Sequence, residues 1–133
     1  MNGYALDTNI ISFAIRGNVT LQQKIYNEAN SGTSIVIPSI AYYELKRGLL
    51  DAKATTKLKL FEHLCNSLSV DVIDMATLER AAGIYVNLKQ SGRIIDDADI
   101  LIAASCIAHD YVLVTDNTKH FDRVDGLNIV NWI

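Results

Sequence analysis

A chain of 133 residues, half of them apolar, carries a formal net charge of −3, which suits one domain around a single core. The acidic balance argues against a protein that coats nucleic acid with a broadly basic surface, but not against an RNA enzyme whose acids gather at a metal site. No run approaches the roughly 18–20 uninterrupted apolar residues of a membrane span, and the opening MNGYALDTN shows no basic segment, apolar stretch and cleavage site in succession, so a cytoplasmic protein is expected.

The first apolar run, GYAL, reads as a buried strand and ends abruptly in Asp7, Thr8 and Asn9. A carboxylate so close to a buried strand is costly unless something uses or neutralises it. As a purely structural residue, Asp7 would cap a first helix. Thr20 is expected to cap a helix through Ala29, because Leu21, Ile25 and Ala29 share a face. TSIVIP is a β-branched second strand closed by the only proline, Pro38, and Ser39 is placed to cap the next helix, residues 40–50. Beyond DAKATT a helix is expected at residues 56–66, followed by a third strand in LSVDVI. Residues 75–90 form a long helical pattern ended near Gly92, and Asp96 or Asp97 caps the apolar helix in ADILIAASCIAHD. YVLVTD is the fourth strand and LNIVNW a short fifth.

Strands alternating with helices predict a three-layer α/β/α fold, with a central, mainly parallel sheet of four to five strands and residues 1–133 as one domain. In such sheets ligands gather beyond the carboxyl ends of the strands, where strand order switches. Asp7 follows the first strand and Asp116 the fourth, so both would project from the same edge.

The thiols and imidazoles offer less. Cys65 and Cys106 fit no CxxC or Cys/His pattern and read as buried free thiols, and His63, His109 and His120 are scattered without zinc-ligand spacing. No G-x-S-x-G elbow is present, and neither cysteine has a recognisable histidine partner, so no covalent nucleophile is expected.

The acids are the stronger signal. Glu44 shares a helix face with Ile40 and Gly48, where a glutamate is out of place unless it pairs with Arg47 at i+3. Tyr42, Lys46 and Arg47 read as solvated helix face. Asp99 stands at the start of its helix, equally suited to the helix dipole and to chemistry; Asp96 and Asp97 read as capping acids. Asp116, with Thr115 and Asn117 beside it, would serve either a turn or a site. Taken together, Asp7, Glu44, Asp99 and Asp116 form a set of hard oxygen donors that cannot all stay ionised without a cation. Such a set suits Mg2+ or Mn2+, which keep waters and meet substrate phosphates, and so suits hydrolysis of a phosphodiester.

The segments LDTNIIS, YYELKRG, DADILIAA and LVTDNTKHFDRVDGLNIVNW, in that order and spacing, resemble the PIN-domain family, and within it the VapC toxins of bacterial toxin–antitoxin pairs. The resemblance covers essentially the whole chain. It implies a Mg2+- or Mn2+-dependent endoribonuclease that leaves a 5′-phosphate and a 3′-hydroxyl and inhibits translation. It assigns Asp7, Glu44 and Asp99 to the metal and the attacking water, with either Asp116 or Asn117 in the fourth position. Thr8 and Asn9 would give supporting hydrogen bonds, and Asp96 would stand just behind the site. It further implies a homodimer and a VapB-like antitoxin that lays a basic side chain among the acids, with the helices at residues 40–50 and 56–66 as contact surfaces. Arg93, Lys119 and Arg123 are candidates for RNA phosphates, and transfer or ribosomal RNA is the expected target class.

Two other readings compete. An aspartate-based phosphatase would use Asp7 as nucleophile, but Asn9 stands where its second acid belongs. A noncatalytic interaction domain would have no evident need for converging acids.

Overall fold

The computed structural model describes residues 1–133. In chain order the elements are β1 (Gly3–Leu6), α1 (Thr8–Ile15), α2 (Val19–Asn30), β2 (Ile35–Pro38), α3 (Ser39–Asp51), α4 (Thr55–Ser67), β3 (Ser69–Asp71), α5 (Met75–Gln90), α6 (Asp97–His109), β4 (Tyr111–Val114), α7 (Thr118–Phe121) and β5 (Ile129–Val130). The strands pair in the order β3-β2-β1-β4-β5, every pair parallel. The chain builds one half of the sheet as β1, β2 and β3, then crosses back to lay β4 on the other side of β1. The switch in strand order therefore falls between β1 and β4, where open parallel sheets hold their ligands.

Apolar sequence explains the sheet's position. Leu6, Ile37, Leu113 and Val114 are fully buried at the carboxyl ends of β1, β2 and β4, inside a continuous core that includes Ile10, Ile11, Phe61, Ile102 and Phe121. Helix α1 packs against α2, α3 and α4, while α5 and α6 pack against each other. Gly3 begins β1 with φ of +145°, and a Cβ there would collide with the Ser34 carbonyl, so only glycine lets β1 lie this close to the turn before β2. No helix is long and apolar enough to cross a membrane.

Several boundaries differ from expectation for local reasons. Helix α2 starts earlier than Thr20, because the Asn18 side chain accepts the Leu21 N–H at 3.0 Å and takes the capping role. Ser39 is the first helical residue of α3 and makes no capping bond; Pro38 stands at the cap. The third strand shrinks to Ser69–Asp71 at the sheet's edge, where Val70 and Val72 are exposed. The fifth shrinks to Ile129–Val130.

Candidate active site

Asp7 is the N-cap of α1 and the first residue beyond β1. Its backbone N–H continues the sheet by donating to the Val114 carbonyl at 2.9 Å, which brings the carboxylate to the gap between β1 and β4. Asp7 Oδ1 accepts the Thr8 N–H at 2.8 Å, and Oδ2 accepts the Thr115 hydroxyl at 2.7 Å. The residue is only 4% exposed. Burial is the main reason its pKa rises to about 6; the two hydrogen bonds oppose the rise, and the neighbouring Asp99 and Asp116 carboxylates add to it.

The supporting groups arrange themselves around that acid. Thr115 is fully buried, and its hydroxyl, while donating to Asp7, accepts the Asn117 N–H at 2.9 Å. The Thr8 hydroxyl donates to Glu44 Oε1 at 2.9 Å, tying α3 to the start of α1. Glu44 makes no ion pair with Arg47, whose guanidinium lies 5.0 Å from the Tyr43 ring centre instead. Lys46 turns away to Glu62, 3.2 Å distant.

Asp99 stands in the first turn of α6. Burial raises its pKa, with Asp96 and Glu44 contributing like-charge repulsion and His120 opposing them. Asp96 is the N-cap of α6 by backbone conformation, but its side chain makes no capping bond. Asp116 Oδ1 is buried without a hydrogen-bond partner. Such an orphaned carboxylate oxygen calls for a missing cation, donor or water.

Not every expected residue takes part. The Asn9 side chain is exposed on α1 and makes no hydrogen bond within the protein, whereas the Thr115 hydroxyl holds Asp7. Arg123, a candidate for RNA, uses one guanidinium nitrogen to donate to the carbonyls of Arg93 and Ile94 at 3.4 and 3.2 Å, bracing the segment that leads into α6. Arg93 and Lys119 are exposed. Sequence reading missed His120, whose Nδ1 lies 3.6 Å from Asp99 Oδ2. Its only signal is its place in DNTKHF, four residues after Asp116, where a short helix returns it to the site.

The donor set fits a hard divalent cation. Asp7, Glu44, Asp99 and Asp116 offer only oxygens, two of them with pKa values raised by burial and mutual repulsion, and one oxygen is left unpartnered. No three acidic, histidine or cysteine side chains stand close enough to enclose an ion by themselves. That is compatible with Mg2+ or Mn2+, which commonly take one or two carboxylates, several waters and a substrate phosphate.

Comparison with known proteins agrees with this arrangement. Residues 4–127 match the PIN domain family. The chain is 32% identical to Ribonuclease VapC2 of Rickettsia felis, covering 97% of each protein, and 28% identical to the tRNA(fMet)-specific endonuclease VapC of Shigella flexneri, again covering 97% of each. The solved structure of DNA-bound VapBC from Salmonella typhimurium superposes with a TM-score of 0.92 at 25% identity, covering both chains completely. An all-parallel five-stranded sheet with acids at its switch point, matched over nearly its full length, places the chain in the PIN-domain family, among its VapC ribonucleases.

Proposed function

We propose that this ribonuclease is a Mg2+- or Mn2+-dependent endonuclease and serves as the toxin of a toxin–antitoxin pair. The observation that carries the reading is Asp7, buried at the switch point with a pKa raised to about 6 and flanked by Asp99 and Asp116. Asp7, Asp99 and Asp116 would hold the cation, with Asp116 rather than Asn117 in the fourth position. Asn117 is already engaged through its backbone with Thr115 and through its amide with His120, whereas Asp116 has a free buried oxygen. When bound, a divalent cation neutralises charge on the scissile phosphate and makes water more acidic.

The chain's own groups do the rest. Thr8 and Thr115 fix the two Asp7 oxygens, so the carboxylate cannot rotate when RNA arrives. Glu44, steadied by the Thr8 hydroxyl, orients the attacking water and accepts its proton. The water oxygen bonds to phosphorus as the P–O3′ bond breaks, and the departing 3′-oxygen takes a proton from solvent, leaving a 3′-hydroxyl and a 5′-phosphate. Arg93 and Lys119 are free to meet phosphates on either side of the cut.

The substrate reading follows the Shigella relative, whose name specifies a transfer RNA, and a transfer RNA substrate would support a cytoplasmic site of action. The partner reading follows the Salmonella complex: a VapB-like antitoxin. A groove of about 520 Å3 between α2 and α4, walled by Ile15, Ile25, Tyr26, Leu60, Leu64 and Leu68, supports an apolar antitoxin segment as its occupant. The exposed apolar residues Val72, Met75 and Leu78 beside edge strand β3 support a homodimer.

The test compares wild type with Asp7→Asn on total RNA in Mg2+, Mn2+ and EDTA. Discrete cleavage that needs both metal and Asp7 is the expected result. Cleavage that persists in EDTA, or no cleavage by folded antitoxin-free wild type, would overturn the metal-dependent reading.

A further inference from the structure

His120 sits on α7 with its side chain 43% exposed. Its Nδ1 lies 2.9 Å from the Asn117 amide nitrogen and 3.6 Å from Asp99 Oδ2. Asn117 donates its backbone N–H to the Thr115 hydroxyl, which in turn donates to Asp7 Oδ2 at 2.7 Å. A single chain of contacts therefore runs Asp7, Thr115, Asn117, His120, Asp99, joining acids supplied by two different elements of the fold. The buried side chains of Phe121 and Val124 anchor the turn of chain that carries His120.

Asp99 has need of such a partner. Its side chain accepts no hydrogen bond from any backbone N–H, although it stands at the start of a helix, and Asp96 and Glu44 both repel it. At 3.6 Å the imidazole meets it as an electrostatic contact, longer than a formed hydrogen bond. The two ends of an Asn amide exchange by a simple flip. With the Asn117 oxygen turned toward the ring, the imidazole hydrogen resides on Nδ1 and is shared between Asn117 and Asp99. Ring geometry then aims Nε2 away from both, towards the exposed side.

We infer that His120 is a positioning residue: its Nδ1–H, oriented by Asn117, fixes the Asp99 carboxylate relative to Asp7 so that both acids face one divalent cation. The inference rests on the metal-dependent nuclease reading, and it adds a residue that acts through Asp99 without touching RNA.

Side-chain isosteres separate the two edges of the ring. An Asn amide nitrogen occupies roughly the place of imidazole Nδ1, and a Gln amide nitrogen roughly that of Nε2. Wild type, Asp7→Asn, His120→Asn and His120→Gln would each be titrated with Mn2+ in a calorimeter without RNA, then assayed for single-turnover cleavage of transfer RNA. His120→Gln is expected to lose about 10–100-fold in Mn2+ affinity, the usual cost of removing a partner that orients a metal ligand. Its cleavage rate at saturating RNA should fall in parallel, with half-saturation for RNA unchanged, and His120→Asn should recover most of both losses. Matching thermal unfolding curves for the two variants would show that the difference is not one of folding. His120→Gln equal to wild type, or better than His120→Asn, would overturn the inference; the latter result would make Nε2, facing the RNA, the atom that matters. Wild type that neither binds Mn2+ nor cuts would bring down the nuclease reading and this inference with it.

Discussion

Asp7 and Asp74 make an instructive pair. Each is the N-cap of a helix, α1 and α5, and each accepts one backbone N–H and one threonine hydroxyl: Thr8 and Thr115 for Asp7, both groups of Thr77 for Asp74. Their pKa values nevertheless move in opposite directions. Asp74 is held below the usual carboxylate range, chiefly by the Thr77 N–H and hydroxyl, with help from His109, whose Nε2 lies 3.1 Å away. Asp7 is pushed up to about 6 because burial outweighs the same two bonds and its charged neighbours are carboxylates. The same kinds of donor, one N–H and one threonine hydroxyl, thus accompany an exposed cap in one place and an acid short of positive charge in the other. Desolvation and the sign of the neighbours, rather than the hydrogen bonds, separate structure from function here.

The largest expected effect breaks the pair on activity. Asp7→Asn keeps the shape and the cap yet removes the charge a cation would meet, and should reduce metal-dependent cleavage by about 10²–10³-fold or more, the scale of losing a key electrostatic group. Asp74→Asn makes the same chemical change in the matching motif and should leave the cleavage rate within about twofold of wild type. Rates measured side by side on one RNA decide it. Equal losses in both would mean that the change acts through the helix cap.

The second effect is one of stability against pH in the metal-free protein. A carboxyl raised from 3.8 to about 6 by folding favours the folded state when protonated. Its contribution is fully present below the unfolded value near 3.8 and is lost as pH rises through about 6. Over that window Asp7 is expected to account for on the order of 2–3 kcal/mol. Asp74 has the opposite sign: its pKa is lowered, so its contribution is present above the unfolded value and lost as pH falls below it. Thermal unfolding in EDTA should therefore show Asp7→Asn more stable than wild type at pH 7.5, with the gap narrowing as pH falls through about 6 towards 3.8. A constant gap would place the burial cost elsewhere.

How far the sequence foretold this contrast depends on whether the cause is local. GYAL followed by Asp7 was legible as a strand ending in an anomalous acid, because apolar runs and their interruptions are features of neighbouring residues. Glu44 was legible as a misfit on an apolar helix face for the same reason. Helix α1 was harder to see: Ile10, Ile11, Ala14 and Ile15 do share one buried helical face, but TNIISFAI is only two turns long and mostly apolar, so a short apolar run of this kind reads equally as a strand. The cap of α2 fell to Asn18 instead of Thr20, a choice between two good capping residues that the preceding turn decides. The contacts of Thr115 with Asp7 and of His120 with Asp99 depend on β4 lying beside β1 and on α7 folding back over α6. Only the assembled sheet brings those residues together. Asp74 went unremarked for a local reason: it follows a short edge strand with exposed valines, so its charge interrupts no buried run.

The smallest effect sharpens the comparison from the structural side. Asp74→Ala removes the acceptor that satisfies the Thr77 N–H at 2.9 Å and the Thr77 hydroxyl at 2.8 Å. Loss of an N-cap acceptor destabilises its helix, and here the buried Thr77 hydroxyl also loses its partner. The variant should unfold at a lower urea concentration than wild type at pH 7, with an unchanged slope and unchanged cleavage. Asp74→Asn should recover most of the loss, because an asparagine oxygen caps nearly as well as an aspartate. Recovery by Asn would assign the stability at Asp74 to hydrogen bonding. Failure of Asn to recover it would assign the stability to charge, through His109 and the α5 dipole, and the two caps would then differ in kind as well as in surroundings.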